Sequence, residues 1–161
     1  MSAARILAVG KLLDGAEAEA CATALTKGAS PEWRQAGWAL KGALEERRAA
    51  YAAAIASYRQ CLAEKAQTAE CAAAALGLGR LEFRNGEFDK ADVTLKRAIQ
   101  LNAANASARA EAYLLLAKNA SARGDGQSAV AYATVVTSLF DEPAVVAEAK
   151  KIIEAHPEAG K

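Results

Sequence analysis

The sequence contains little of what catalytic and metal sites are built from, with one histidine and three cysteines in 161 residues. Cys21, Cys61 and Cys71 show no C-x-x-C spacing and their odd number is a poor disulfide framework, so we interpret them as small apolar residues of helices. His156 stands in a proline-flanked tail without a partner fixed by spacing, which favours a solvated tail over a catalytic base or metal ligand. We predict no enzymatic activity, no cofactor and no metal.

Proline and strand-forming runs are also scarce. The three prolines, Pro31, Pro143 and Pro157, leave long stretches free to be helical. Val, Ile, Thr and aromatic residues are too scattered for a run of strands. Alanine, by contrast, makes up about a quarter of the chain, and it has the highest intrinsic helix propensity. The composition therefore predicts an all-α fold.

The chain has neither an excess of one charge nor a long apolar run. Its net charge is +1 with both signs interspersed, so there is no concentrated basic face for nucleic acid. The chain has no stretch of about eighteen apolar residues, so the sequence predicts no membrane span. Residues 1–20 resemble a secretory signal only weakly, because Lys11 and Asp14 interrupt the apolar part. We expect a cytoplasmic protein, or a periplasmic one if the chain is a trimmed mature domain.

What the chain does contain is an internal repeat. Residues 38–62 align without a gap to residues 75–99, at an offset of 37, and a third copy follows at an offset of 38. Each copy has a large residue or alanine followed four residues later by Gly or Ala, then a turn, then a small–x3–large–x2–small stripe. In the order of the three copies, three of these positions hold Trp38, Ala75 and Tyr113; Gly42, Gly79 and Ala117; and Ala54, Ala91 and Ala129.

The turn of each copy calls for a residue that tolerates a left-handed backbone, since the chain must return antiparallel. Gly86 and Gly124 fill this position, and Gly15 fills it in a fainter N-terminal copy in which Ala20 lies 34 residues before Ala54. In the copy from Trp38 the position holds Ala49. A continuous long helix through residues 48–50 therefore remains an alternative to a turn.

This pattern resembles the tetratricopeptide repeat: an aromatic residue, Leu-Gly or its equivalent, a glycine turn, and Ala-x3-large-x2-Ala. The resemblance implies antiparallel helix hairpins stacked as a right-handed α-solenoid with a C-terminal capping helix. It predicts a single domain over 1–161, with extra residues between hairpins because 37 and 38 exceed the usual spacing. The expected hairpins are about 2–27, 31–64, 69–101 and 107–139, and the capping helix about 143–155. Within them we expect helices at about 2–13, 16–27, 31–48, 51–64, 69–84, 88–101, 107–122, 126–139 and 143–155.

The resemblance also implies a function, a non-enzymatic adaptor or scaffold. In this family the first helix of each hairpin lines a concave groove that receives a peptide or a partner helix. Arg80, Arg84 and Lys118 suit an acidic partner, although they could equally be ordinary solvated residues. The positions carried over to this sequence are Glu46, Arg47, Leu76, Arg80, Phe83, Arg84, Glu111, Leu114 and Lys118.

A second hypothesis is a structural module that self-associates into a homo-oligomer through its terminal helices. The apolar residues that would serve are Ile6, Leu7, Val9, Leu12 and Leu13 in the first helix and Val145, Val146, Ile152 and Ile153 in the last. A related hypothesis is a fragment of a larger bacterial cell-envelope assembly protein. It rests on the third copy, which is similar to repeats of envelope-assembly lipoproteins and periplasmic division factors.

Three further motifs have simpler interpretations. Gly77 and Gly79 lie inside a helical pattern, so we expect close helix packing there instead of a phosphate-binding loop. The adjacent carboxylates Glu45 and Glu46 are expected on a solvated face. Residues 141–142 are expected to cap the last helix, which begins at Pro143.

Overall fold

The computed structural model describes residues 15–66, 68–102 and 104–159, and within these ranges the chain is all helical. The all-α prediction is confirmed for this part of the chain. The helix expected over residues 2–13 lies outside the described residues. In chain order the helices are α1 (Gly15–Thr26), α2 (Pro31–Arg47), α3 (Tyr51–Ala63), α4 (Ala69–Arg84), α5 (Phe88–Leu101), α6 (Ala106–Ala122), α7 (Gly126–Leu139) and α8 (Pro143–Ala155).

Capping residues explain several of the helix starts. The Ser30 hydroxyl accepts from the Trp33 N–H at 3.4 Å, and the Asn105 side chain accepts from the Ala108 N–H at 3.1 Å, which satisfies backbone donors of the first turn. At α8 the boundary is as predicted, but Glu142 makes no capping hydrogen bond through its side chain. The carboxylate cap expected from residues 141–142 is therefore wrong for Glu142.

The turn inside each hairpin has the same backbone geometry three times. Ala49, Gly86 and Gly124 are left-handed, with φ of 59°, 75° and 77°. In each turn the next residue donates its N–H, at 2.9 Å, to the carbonyl five residues back, which is the longer bond of a Schellman-type helix end. A turn therefore separates α2 from α3, and the alternative of one long helix is excluded. The donor–acceptor pairs are Ala50–Glu45, Glu87–Glu82 and Asp125–Ala120.

Because Ala49 holds a conformation that glycine adopts freely, Ala49→Gly should stabilise the chain. Relief of left-handed strain is worth about 1–2 kcal/mol, and the extra entropy of an unfolded glycine offsets about 0.4–1 kcal/mol. We expect a net gain of about 0.5–1 kcal/mol in the free energy of unfolding, measured by urea denaturation.

The matched control is Gly86→Ala, whose added Cβ would meet nothing within 4 Å. It should lose stability for conformational reasons alone, by about 1 kcal/mol. Equal effects of the two substitutions in the same direction would contradict the left-handed strain at Ala49.

The described helices belong to two compact units, residues 1–81 and residues 82–161. In the first unit α2 packs against both α1 and α3. The small–x3–large–x2–small stripe of α3 is buried, with Ala54, Tyr58 and Cys61 at most 4% exposed. In α1 the buried stripe is Ala18, Ala22 and Leu25.

The register predicted for the N-terminal copy is wrong by two residues. Ala20, which we aligned with Ala54, is exposed, whereas Ala18 is buried. The correct correspondence is Ala18 to Ala54, at an offset of 36. The alternation of alanines in residues 16–24 offered several small residues of equal size, so only packing could choose between them. Gly15 is the first residue of α1, and the turn expected there involves residues outside the described ranges.

Tyr58 packs between two glycines of the neighbouring helices. A Cβ on Gly42 of α2 would lie 2.6 Å from the Tyr58 ring, and a Cβ on Gly77 of α4 would lie 2.8 Å from it. Real Cβ atoms do not approach so closely, so both positions are restricted to glycine by packing. Close helix packing, predicted for Gly77, is confirmed.

The connection between α3 and α4 wraps around one buried amide, that of Gln35 on α2. Its Nε2 donates to the carbonyls of Cys61 (3.1 Å) and Ala66 (2.9 Å), and its Oε1 accepts from the Thr68 hydroxyl at 2.7 Å. Gln35 is fully buried, and its hydrogen bonds remove the cost of that burial. The longer spacing between these hairpins is thus taken up by a loop with its own polar anchor.

Arg34 holds the start of the same loop. Its Nε and Nη2 each lie 2.8 Å from one oxygen of the Glu64 carboxylate, in the bidentate geometry that strengthens such pairs. The Arg34 hydrogen bond holds the pKa of Glu64 below its usual range.

The sign of this shift makes the contribution of Glu64 depend on pH. A carboxyl with a lowered folded pKa stabilises above its unfolded pKa, about 4.3, and stops doing so as the pH falls through the folded value. We expect Glu64→Gln to lower the free energy of unfolding at pH 7 and to have no effect at a pH below the folded pKa. Urea denaturation of both proteins across this range measures it; a difference that persists in acid would contradict the ion pair as its cause.

In the second unit α6 packs against α5, α7 and α8, and α8 also packs against α7. The stripes of α5 and α7 are buried as the repeat predicts. Their residues are fully buried: Ala91, Leu95, Ala98, Ala129, Ala133 and Val136.

The last helix repeats one feature of the first helices of the hairpins, α2, α4 and α6. Each of these has a small buried residue near its middle, namely Gly37, Ala74 and Ala112. In α8 the corresponding residue is Ala149, 37 residues after Ala112 and also fully buried. α8 therefore packs in the manner of a further first helix.

Candidate interaction surface

The residues predicted to contact a partner lie on the first helices α2, α4 and α6. In the first unit two of them meet directly. Arg80 Nη2 lies 2.8 Å from Glu46 Oε1, and Arg80 Nε donates to the same oxygen at 3.0 Å. The Glu46 side chain is 18% exposed and that of Arg80 is 42% exposed. The pair thus joins α2 to α4 at a position accessible to a partner.

Tyr58 completes this group from below. Its hydroxyl donates to Glu46 Oε2 at 2.8 Å, so both carboxylate oxygens of Glu46 have partners. Burial, and next the hydrogen bond to Glu46, raise the pKa of Tyr58 far above its usual value. The phenol therefore stays protonated and holds the carboxylate, which in turn orients Arg80.

Removing the hydroxyl should release Glu46 without opening a cavity. We expect Tyr58→Phe to lower the free energy of unfolding by about 1.5–3 kcal/mol, the range for a hydrogen bond to a charged group. Urea denaturation measures the loss. In a double-mutant cycle with Glu46→Gln the two losses should be less than additive, because they remove one interaction. Full additivity would contradict the coupling.

The other predicted residues of the first unit differ in exposure. Arg47 is exposed. Leu76 is only 8% exposed, so it offers little surface to a partner in this structure. Periodicity could not separate a groove floor from the core, because both faces of a packed first helix carry apolar residues.

In the second unit Phe83 is half-buried, with its ring centroid 6.0 Å from that of Phe88. Arg84 is exposed and Glu111 is half-buried. Leu114 is 7% exposed and belongs to the apolar cluster of α6, α7 and α8. In this structure α8 covers it.

Lys118 forms an ion pair with Glu148 of α8. Both Lys118 and Arg80, predicted to attract an acidic partner, therefore have a carboxylate of the same chain beside them. Internal pairing reduces the positive potential that such residues present. Arg47 and Arg84 are more exposed than Arg80 and Lys118.

The prediction of a solvated face for Glu45 and Glu46 is wrong. Each side chain is only 18% exposed, and the Ser57 hydroxyl donates to Glu45 Oε2 at 2.6 Å. The same bond recurs 37 residues later, where the Thr94 hydroxyl donates to Glu82 Oε2 at 2.7 Å. The signal was present in the sequence as a Glu followed twelve residues later by Ser or Thr, in two copies.

His156 is not in a solvated tail. It is half-buried, and its Nε2 lies 2.9 Å from the Ser121 hydroxyl of α6. A Cβ on Gly126 would approach His156 Nδ1 to 3.0 Å, so the ring lies against the start of α7. The turn after α8 therefore packs against α6 and the start of α7.

The apolar residues proposed for self-association through the last helix are already used. Val145, Val146, Ile152 and Ile153 pack against the cluster of Leu114, Ala117, Ala133, Val136 and Ala149. The exposed side of α8 carries charged residues such as Lys150 and Glu154. The residues of the first predicted helix, 6–13, lie outside the described ranges.

Cys61 and Cys71 are buried and Cys21 is half-buried, and none of the three forms a disulfide. Among the residues that the structure describes, no group of three His, Cys, Asp or Glu side chains could hold a metal ion. In the same part of the chain no helix is long and apolar enough to cross a membrane.

Comparison with protein-family models, with curated proteins and with solved structures finds no match to this chain.

Proposed function

We propose that the chain is a non-enzymatic helical-repeat adaptor, of the tetratricopeptide type, that binds a protein segment on the exposed face of its first helices. The observation that carries this is the turn repeated at Ala49, Gly86 and Gly124, with one hydrogen-bond geometry at all three. Identical turns give successive hairpins the same local form, and stacked hairpins of this kind make extended binding surfaces. A right-handed solenoid arrangement is part of the proposal.

Two features of the surface support protein recognition. Arg47 of α2 and Arg84 of α4 are exposed and occupy the same position of their hairpins, 37 residues apart. Arg80 and the aromatic Phe83 lie on the same α4 helix. Arginine and aromatic side chains are enriched where protein interfaces gain most of their affinity. The partner that suits this face is a peptide or helix with carboxylates near an apolar residue.

A charge reversal on α4 tests the face. We expect Arg80→Glu/Arg84→Glu to reduce recovery of the bound partner by about tenfold or more in a quantitative affinity purification, as for loss of central arginines from an interface. The matched control is Arg59→Glu/Arg97→Glu, which makes the same change in charge at exposed positions of the second helices α3 and α5.

Circular dichroism of both variants verifies that they fold. If the two variants recover the same partners in the same amounts as the unmodified chain, the first-helix face is not the binding surface. If both lose them equally, net charge and not the face controls recovery.

A further inference from the structure

α8 covers the part of the second unit in which the predicted partner residues Leu114 and Lys118 lie. It places Ala149 in the apolar cluster with Leu114 of α6 and Val136 of α7. Its Glu148 pairs with Lys118, and His156 meets the Ser121 hydroxyl. Leu114, Lys118 and Ser121 lie at consecutive turns of α6, so α8 follows one stripe along the C-terminal half of that helix.

α8 is held by fewer buried residues and caps than α6 and α7, against which it packs. Ala149 is its one fully buried residue, whereas α6 buries eight residues in its interior. No side chain caps the start of α8, although Asn105 caps α6 and Asp125 caps α7. Helices with few buried residues and uncapped ends open at lower free energy than the core.

The segment before α8 can act as a hinge. Phe140 and Glu142 have extended backbones, and Phe140 itself is anchored, 7% exposed, with its ring centroid 6.2 Å from that of Tyr113. Motion of α8 would therefore leave Phe140 in place and move the chain from residue 141 onward.

We propose that the surface of α6 and α7 beneath α8 is a docking site for an amphipathic helix of a partner protein, and that α8 is its displaceable occupant. This inference rests on the proposed function and extends it with a second site, which is closed in the described state. The apparent affinity for a competing helix therefore equals its intrinsic affinity multiplied by the fraction of molecules in which α8 is released.

The contacts of α8 define the chemistry of the partner helix. A small residue must lie at the position of Ala149, because its neighbours leave no space there. A carboxylate one residue earlier would pair with Lys118, as Glu148 does. Apolar residues about one turn before and one turn after the small residue would replace the pairs Val145–Val146 and Ile152–Ile153.

The experiment uses a fluorescent peptide of residues 141–159 and the full chain. Ala149→Arg in the chain places a large charged side chain in the buried position and should release α8. We expect this variant to bind the peptide at least about tenfold more tightly than the unmodified chain, since the competing helix is removed. The matched control, Ala147→Arg at an exposed position of the same helix, should bind like the unmodified chain.

A charge swap tests the register of docking. In the Ala149→Arg chain, Lys118→Glu should weaken the peptide about tenfold, and a peptide with Glu148→Lys should recover most of that loss. Equal binding of both peptides to both chains would overturn the assigned contacts. Failure of Ala149→Arg to increase peptide affinity, in a chain that circular dichroism shows to be folded, would overturn the proposal.

If Ala149→Arg fails to fold, hydrogen exchange of the unmodified chain decides. We expect amides of α8 to exchange at least about tenfold faster than those of α6 and α7, through opening of α8 alone. Equal protection of the three helices would contradict a displaceable α8. These outcomes are independent of the charge-reversal test on α4: peptide binding together with unchanged recovery in that test would refute the first-helix face and leave the docking site standing.

Discussion

The first unit depends on one contact, the ring of Tyr58 held between Gly42 and Gly77. Because neither neighbour has a Cβ, α2 and α4 both approach α3 to the thickness of an aromatic ring. That approach brings Glu46 of α2 within hydrogen-bonding distance of Arg80 on α4 and of the Tyr58 hydroxyl beneath them. A larger residue at either glycine would separate the helices and break the polar group at the same time. The packing of Tyr58 between the two glycines and the hydrogen bonding of Glu46 therefore depend on the same close approach of the helices.

Small residues play the same part along the whole described chain. Buried alanines at corresponding positions of α3 and α7 allow each of these second helices to lie close against its first helix, α2 or α6. Close approach limits side-chain contact area, so each hairpin alone buries little apolar surface. Polar contacts therefore matter more here than they would in a leucine-rich core. Those of Gln35 and the hydrogen bonds Glu45–Ser57 and Glu82–Thr94 fix the relative positions of helices that buried alanines alone would hold less firmly.

Charge on the first helices is organised in two ways. Arg80 and Lys118 are paired with carboxylates of the same chain, and each pair ties one helix to another. Arg47 and Arg84 are exposed at the ends of α2 and α4, where a cation also interacts favourably with the helix dipole. The basic residues of the first helices thus either join two helices, as Arg80 and Lys118 do, or lie exposed at a helix end, as Arg47 and Arg84 do. Glu148 of α8 forms such a pair with Lys118, which is why α8 can act as an internal ligand of the α6 surface.

The sequence by itself determined the helices and their turns, since alanine content, capping residues, glycine at two of three turns and a 37- to 38-residue period are local signals. It could also place the turn at Ala49, through its position in the repeat, although not exclude a continuous helix. Only the tertiary structure decided the register of α1, where neighbouring alanines are interchangeable until one set is buried. It likewise decided which of the predicted surface residues are accessible. Leu76 and Leu114 fit the apolar pattern of either a groove or a core, and only the packing of the folded chain shows that both are buried. His156 had no local partner, and its position depends on a hydroxyl 35 residues away. Contacts between residues distant in sequence leave no periodic signal, so these features required the folded chain.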